Sequence, residues 1–170
     1  MKRVILLIAI AILIVIISCK TGQMKKQYYE ESPEIEIAKK ATQAFQDRDP
    51  ETYRSCYSDT ARLWHNKYWA GNPGNTIDEQ MELFKNVWSI LEYYTYEGEI
   101  WEMIIQNGGT SWVHMWADLR TKYIGDSVEI ELPVHFAFSV IDNKIVYETG
   151  IFNDLPFYLA EQRLKEKGVE

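Results

Sequence analysis

Four residues in one stretch, Trp112, His114, Trp116 and Asp118, alternate with their neighbours. In an extended strand they project from a single face, because successive side chains point to opposite sides. The set combines a base-like imidazole and a carboxylate with two indole walls. Asp118 with His114 is therefore a candidate acid–base pair: apolar enclosure disfavours the ionised carboxylate and strengthens hydrogen bonds to developing charge. This chemistry requires that the face line a cavity. On an outward face the same residues form an amphipathic surface, and parity alone leaves both facings open. His65 is a further candidate, from a separate strand region, with a partly exposed strand histidine as the plainer reading. His135 alternates with apolar residues, so its parity sets it off the core face.

The spacing of His65, His114 and His135 contains no HxH or HxxxH pair, so no metal site is expected. There is no glycine-rich phosphate loop and no GxSxG elbow, and no cofactor is expected. Cys56 has no histidine near it in sequence and reads as a small buried hydrophobe rather than a nucleophile. The aromatic residues are more informative. Tyr68, Trp101, Trp112 and Trp116 are the candidates to line a ligand cavity, because indole and phenol rings stack on flat apolar molecules.

Several elements must position these residues. Ser32-Pro33 is a helix start, with Ser as N-cap and Glu34 and Glu36 at the positive end of the dipole; apolar spacing continues to about Gln46. Asp49-Pro50 starts a second, short helix to about Tyr57, broken by Ser58-Asp59-Thr60, and Ala61 to Asn66 reads as a short strand. Thr76-Ile77-Asp78-Glu79 is a capping box, and Ile77, Met81, Phe84, Trp88 and Leu91 mark one face of a helix to about Glu92. From Tyr93 the period changes to two. Strands are expected over 94–106, 110–123, 127–141 and 144–153, with a closing helix to about Lys167. Helices followed by a meander of long strands predict an α+β fold. Long strands twist and coil, so the expectation is a cone-shaped α+β barrel: N-terminal helices packed on a strongly curved antiparallel sheet, open at one end.

Four stretches carry a resemblance: Ala44 to Tyr53, Tyr57 to His65, Trp112 to Asp118, and Val134 to Phe152 with Asn153-Asp154. In order and spacing they resemble the nuclear transport factor 2-like superfamily, specifically its SnoaL-like and ketosteroid-isomerase-like groups. The resemblance covers about 33–158. It implies the cone fold, within which relatives range from isomerases, dehydratases and cyclases to non-enzymatic binding and association domains. Three readings follow. The preferred one is a pocket that binds a small apolar or aromatic molecule without catalysis. The alternatives are an isomerase- or dehydratase-type enzyme using Asp118 with His114 or His65, and an assembly module whose open sheet face pairs with a second copy.

The chain's address lies in its first residues. Lys2 and Arg3 precede fourteen apolar residues, Val4 to Ile17, and then Ser18. This is the three-part pattern of a secretory signal, and the run is short for a membrane span of roughly 20 residues. Ile16-Ile17-Ser18-Cys19 resembles the lipobox of bacterial lipoproteins, which implies cleavage before Cys19 and its lipidation. The organisation read here is a signal peptide over 1–18, a lipidated Cys and tether over 19–32, and the folded domain over 33–170. Lys20 stands where Asp marks inner-membrane retention in some envelope lipoproteins, which points to the outer membrane. With Cys19 committed to lipid, Cys56 has no partner for an internal disulfide. The whole chain carries 18 basic and 25 acidic residues, a formal −7; without Lys2 and Arg3 the exported part is at −9. Such a charge argues against nucleic acid as a partner. Cys19→Ala should release the protein from membranes or leave it unprocessed; unchanged mass and membrane retention would contradict the lipoprotein reading.

Overall fold

The computed structural model describes residues 28–67, 71–106 and 109–168. The segment read as a signal peptide, Cys19 and Tyr68 lie outside these residues. The elements, in chain order, are β1 (Tyr28–Tyr29), α1 (Pro33–Gln46), α2 (Pro50–Ser55), β2 (Tyr57–His65), β3 (Asn75–Thr76), α3 (Ile77–Ile90), β4 (Leu91–Ile105), β5 (Ser111–Tyr123), β6 (Ile130–Ile141), β7 (Lys144–Phe152) and α4 (Leu155–Glu166). The start signals act as their chemistry dictates. Ser32 Oγ accepts from the Ile35 amide, Asp49 accepts from the Thr52 amide, and Thr76 and Glu79 form a reciprocal capping box.

Several boundaries differ from the sequence expectation: β4 begins at Leu91 rather than 94 and β6 at Ile130 rather than 127, and the largest change lies around Cys56. The second helix stops at Ser55, and the following strand starts at Tyr57 rather than at Ala61. Here β-pairing overrides the local Ser-Asp-Thr turn signal: the Ile145 amide donates to the Cys56 carbonyl at 2.9 Å, drawing the chain into the sheet at once. Tyr28 and Tyr29, expected in the tether, pair with Ile104 and Met103 and so belong to the fold.

The seven strands form one open sheet in the order β1-β4-β5-β6-β7-β2-β3. It is mixed rather than wholly antiparallel, because β2 runs parallel to β7. The chain between these two strands contains a helix and three long strands, which is ample for a parallel return. Curvature has local causes. Gly98, with φ 63°, sits where the register of β4 against β5 shifts between Glu97 and Ile100, the signature of a bulge. Asp142 and Asn143, with φ 50° and 57°, make the tight turn between β6 and β7.

Period-two alternation decides which residues are inside. Val113, Met115 and Leu119 of β5 and Leu132, Val134, Phe136 and Phe138 of β6 are buried on the concave face, against Ile35, Ala38, Ala41 and Phe45 of α1 and Ile77, Met81 and Phe84 of α3. Trp112, His114, Trp116 and Asp118 consequently occupy the outer face.

The closing helix α4 buries Ala160 and rests against Phe152 through Phe157. Its far end is fixed by Arg163, which donates to Asp126 at 2.6 Å, with Lys167 at 3.4 Å from the same carboxylate. The Arg163 hydrogen bonds hold the Asp126 pKa down at about 2. Because the folded value lies below the ordinary ~3.9, this contribution to stability is complete above about pH 4 and is lost as the pH falls through about 2. Acid titration of thermal stability should therefore fall less steeply in Asp126→Asn than in the parent over that window.

Candidate functional site

The sheet's concave face and the helices enclose a cavity of about 480 Å³, within the range of small-molecule sites. Its walls are mainly aromatic, including Phe45, Phe84, Tyr94, Tyr96, Phe136 and Phe152. These rings pack on one another edge-to-face, as with Phe45 on Phe84 at 4.4 Å and on Tyr94 at 4.8 Å.

Three carboxylates line the cavity: Asp154 and Glu161 are exposed, and Glu148 is buried among the rings. Glu148, near the middle of β7, is only 3% exposed. Three donors converge on it from two successive elements. The Tyr57 hydroxyl donates to Oε2 in a short bond. The Tyr53 hydroxyl donates to the same oxygen at 3.3 Å and lies 2.7 Å from that of Tyr57. His65 Nε2 lies 2.6 Å from Oε1. Because an ionised carboxylate only accepts, Nε2 carries the proton and Nδ1 faces Gln80, whose amide nitrogen is 3.3 Å away. The Gln80 oxygen in turn accepts from Asn75 at 2.8 Å, and the Asn75 oxygen accepts from Lys67 at 2.8 Å. A single line of hydrogen bonds thus runs from the surface at Lys67 to the buried carboxylate.

Backbone geometry makes room for the pair. His65 lies opposite Gly150 across the β2–β7 joint, and Leu63 lies opposite Glu148. A Cβ on Gly150 would sit 2.6 Å from the Phe136 ring and 3.1 Å from the His65 ring. Only glycine leaves that volume to the imidazole, which packs between the face of Phe84 and the edge of Phe136.

The tyrosines stay protonated. Burial, with the Glu148 charge next, holds the Tyr53 hydroxyl well above the usual tyrosine range, and the same two causes act on Tyr57. Burial likewise raises Tyr94 and Tyr96, whose hydroxyls lie 2.9 Å apart. Within that second pair one hydroxyl donates to the other. One proton is left to offer an acceptor in the cavity.

Of the residues expected at the site, His65 lines the cavity. His114 and Asp118 do not: they lie on the opposite face of the sheet, and Asp118 is exposed. The pairing of Asp118 with His114 or His65 in one pocket is thereby corrected, because Val113, Met115, Ala117 and Leu119 take the inward positions of β5. Trp112 and Trp116 share that outer face and do not line the cavity. Trp101 does face inward, but it stacks on Phe138 at 6.3 Å outside the cavity wall. His114 instead meets His135, with ring nitrogens 3.0 Å apart and Trp116 against both rings. Among the described residues no group of three or more potential ligands could hold a metal ion. Cys56 is buried, and that burial raises its thiol pKa.

Sequence reading missed Glu148 and the four tyrosines. A signal existed for the first: Glu148 shares parity with Val146, Gly150 and Phe152, and is thus an acid flanked on its row by uncharged residues. No comparable signal marks Tyr53 and Tyr57, whose hydroxyls converge only because the chain changes from helix to strand between them.

No family model matches the sequence, and no curated protein does. Solved structures do match. A nuclear transport factor 2-like protein of unknown function from Burkholderia pseudomallei K96243 aligns with a TM-score of 0.61 at 13% identity, over 76% of this chain and 98% of its own. A SnoaL-like polyketide cyclase candidate from Shewanella putrefaciens CN-32 aligns at 0.61 and 12%, over 79% and 99%. TerC, co-crystallised with polyporic acid, aligns at 0.59 and 20%, over 76% and 98%. The chain has the nuclear transport factor 2-like fold.

The donor geometry ranks the tyrosines. Tyr57→Phe removes the short bond to a buried charge and should cost about 1–3 kcal/mol in urea unfolding. Tyr53→Phe, which leaves that bond in place, should cost less.

Proposed function

We propose that this protein is an envelope lipoprotein, anchored through Cys19, whose cavity binds a small, uncharged apolar or aromatic molecule without transforming it. The observation that carries the reading is the commitment of His65. One ring nitrogen is bonded to Glu148 and the other faces Gln80, so neither is left to take a proton from a bound molecule. The cluster serves instead as a rigid polar floor beneath aromatic walls. The Glu148 charge disfavours anions, and the spare proton of the Tyr94–Tyr96 pair suits a carbonyl or ether oxygen. Co-crystallisation of the similarly folded TerC with polyporic acid is consistent with small-molecule binding in this fold.

An acid–base enzyme of the isomerase or dehydratase type is the second reading, with Glu148 and His65 in place of Asp118 and His114. It is favoured by the length of the Gln80 bond, 3.3 Å, which a substrate oxygen could displace. Association with a second copy is compatible with either. The outer face leaves Ile100 and Ile151 63% exposed, beside Trp116 and Tyr147. Its five long strands, nine to fifteen residues each, cover about 900 Å², comparable with the ~800 Å² per partner of a stable interface.

Native mass spectrometry of the full chain, before and after incubation with cell extract, reads ligand and oligomer together. The expected result is a retained small molecule, released unchanged, with retention reduced about tenfold in Tyr94→Phe/Tyr96→Phe. A chemically altered product that disappears with Glu148→Gln would establish the enzyme instead. Twice the chain mass, reverting in Ile151→Glu, would identify the sheet face as the interface.

A further inference from the structure

We infer that the ligand has a long aliphatic tail, which leaves the cavity through its mouth and lies in a groove between α3, β5 and α4. This rests on the reading of the cavity as a binding site and extends it to a ligand class: a neutral amphipathic molecule with a compact oxygen-bearing head and an alkyl or isoprenoid chain. The first observation is continuity. A second hollow of about 980 Å³ adjoins the cavity and shares Ile90, Tyr123 and Glu161 with its wall. Its remaining apolar lining comes from Ile124 and Leu164.

The second observation is the order of polarity. Pockets for water-soluble molecules commonly close apolar surface around a ligand and leave its polar end toward solvent. Here Glu148 lies deep with Tyr53 and Tyr57, whereas the part that adjoins the second hollow carries the aliphatic Ile90 and Ile124, together with the Glu161 carboxylate. Ile90 and Ile124 are 43% and 53% exposed. They are not loose: the Ile124 amide donates to the Ile90 carbonyl at 2.9 Å, which locks the end of α3 to the end of β5 and sets the two side chains on one wall. Leu83 of α3, 47% exposed, adds to the aliphatic lining on the cavity side. Aliphatic surface held in water at a cavity mouth is unfavourable unless something covers it. A head group confined to the cavity would leave all of it wet, whereas a tail attached to that head would cover it. The charged residues at the groove, Glu161 and Lys165, have opposite sign and offer no net attraction to a charged chain end.

The test uses the full chain and the alkyl phenyl ketones from acetophenone to octanophenone, with affinity followed by tryptophan fluorescence. Acetophenone should bind weakly, and each added methylene should tighten binding about threefold to fourfold. In Ile124→Ser/Leu164→Ser, which alters the groove and leaves the cavity lining intact, the gain per methylene should shrink toward onefold while acetophenone affinity stays unchanged. Ile124 is 53% exposed and Leu164 is half-buried, and an unchanged melting temperature confirms a folded variant; Ile124→Ser alone should give an intermediate slope. Acetophenone binding with no dependence on chain length would overturn the tail proposal and leave the cavity reading intact. A slope retained in the double variant would overturn it as well, by placing the tail elsewhere. Failure of every ketone to bind would overturn both readings.

Discussion

A carboxylate taken out of water must be surrounded by donors, and in this protein that requirement shapes the site. Glu148 is buried among aromatic rings, where an unanswered charge would cost several kcal/mol. Its partners arrive from the end of α2, from the first residue of β2 and from the last, so the whole of β2 is held to the β7 row. The parallel joint between these strands, the register shift after Tyr57 and the absence of a side chain at Gly150 all serve that convergence. Moving any of these elements would separate the acid from its donors before it altered the apolar core.

This arrangement also explains the cavity's character. Four hydroxyls that would otherwise invite water are kept protonated and are mostly turned toward each other or toward Glu148. Most of the remaining lining is ring and aliphatic surface, and the other charged groups, Lys67, Asp154 and Glu161, are exposed, so the buried part favours molecules that carry little charge. Solved structures with the same fold include proteins of unknown function and a polyketide cyclase candidate, so the architecture alone does not dictate a reaction. The particular chemistry of this chain lies in the polar floor of its cavity.

Much of the architecture was legible in the residues. Thr76 to Glu79 announced α3, and the alternation from Ile130 to Val140 announced the inner row of β6, because capping and period-two burial are local rules. The facing of β5 was not legible. Both of its rows are rich in apolar groups: Val113, Met115 and Leu119 on one side, Trp112 and Trp116 on the other. Only packing against α1 and α3 chooses between them, and with that choice the candidate pair at His114 and Asp118 moved outside. Tyr53 and Tyr57 read as one helical turn; the switch into strand between them depends on a hydrogen bond from Ile145, 89 residues beyond Cys56. Sites assembled by such distant pairing leave little local trace.

The two-residue strand β1 has a consequence for how the molecule stands. Tyr28 and Tyr29 join the sheet beside Ile104 and Met103, near the end of β4, whereas the cavity opens near Ile90 and Leu91, where that strand begins. Thirteen residues of strand separate the two places, up to about 43 Å along the chain. A molecule held by its N terminus is therefore gripped at its base like a cup, with the rim presented to whatever lies on the far side. Tension from that grip would fall first on a ladder of two residue pairs, separate from the strands that form the wall of the cup.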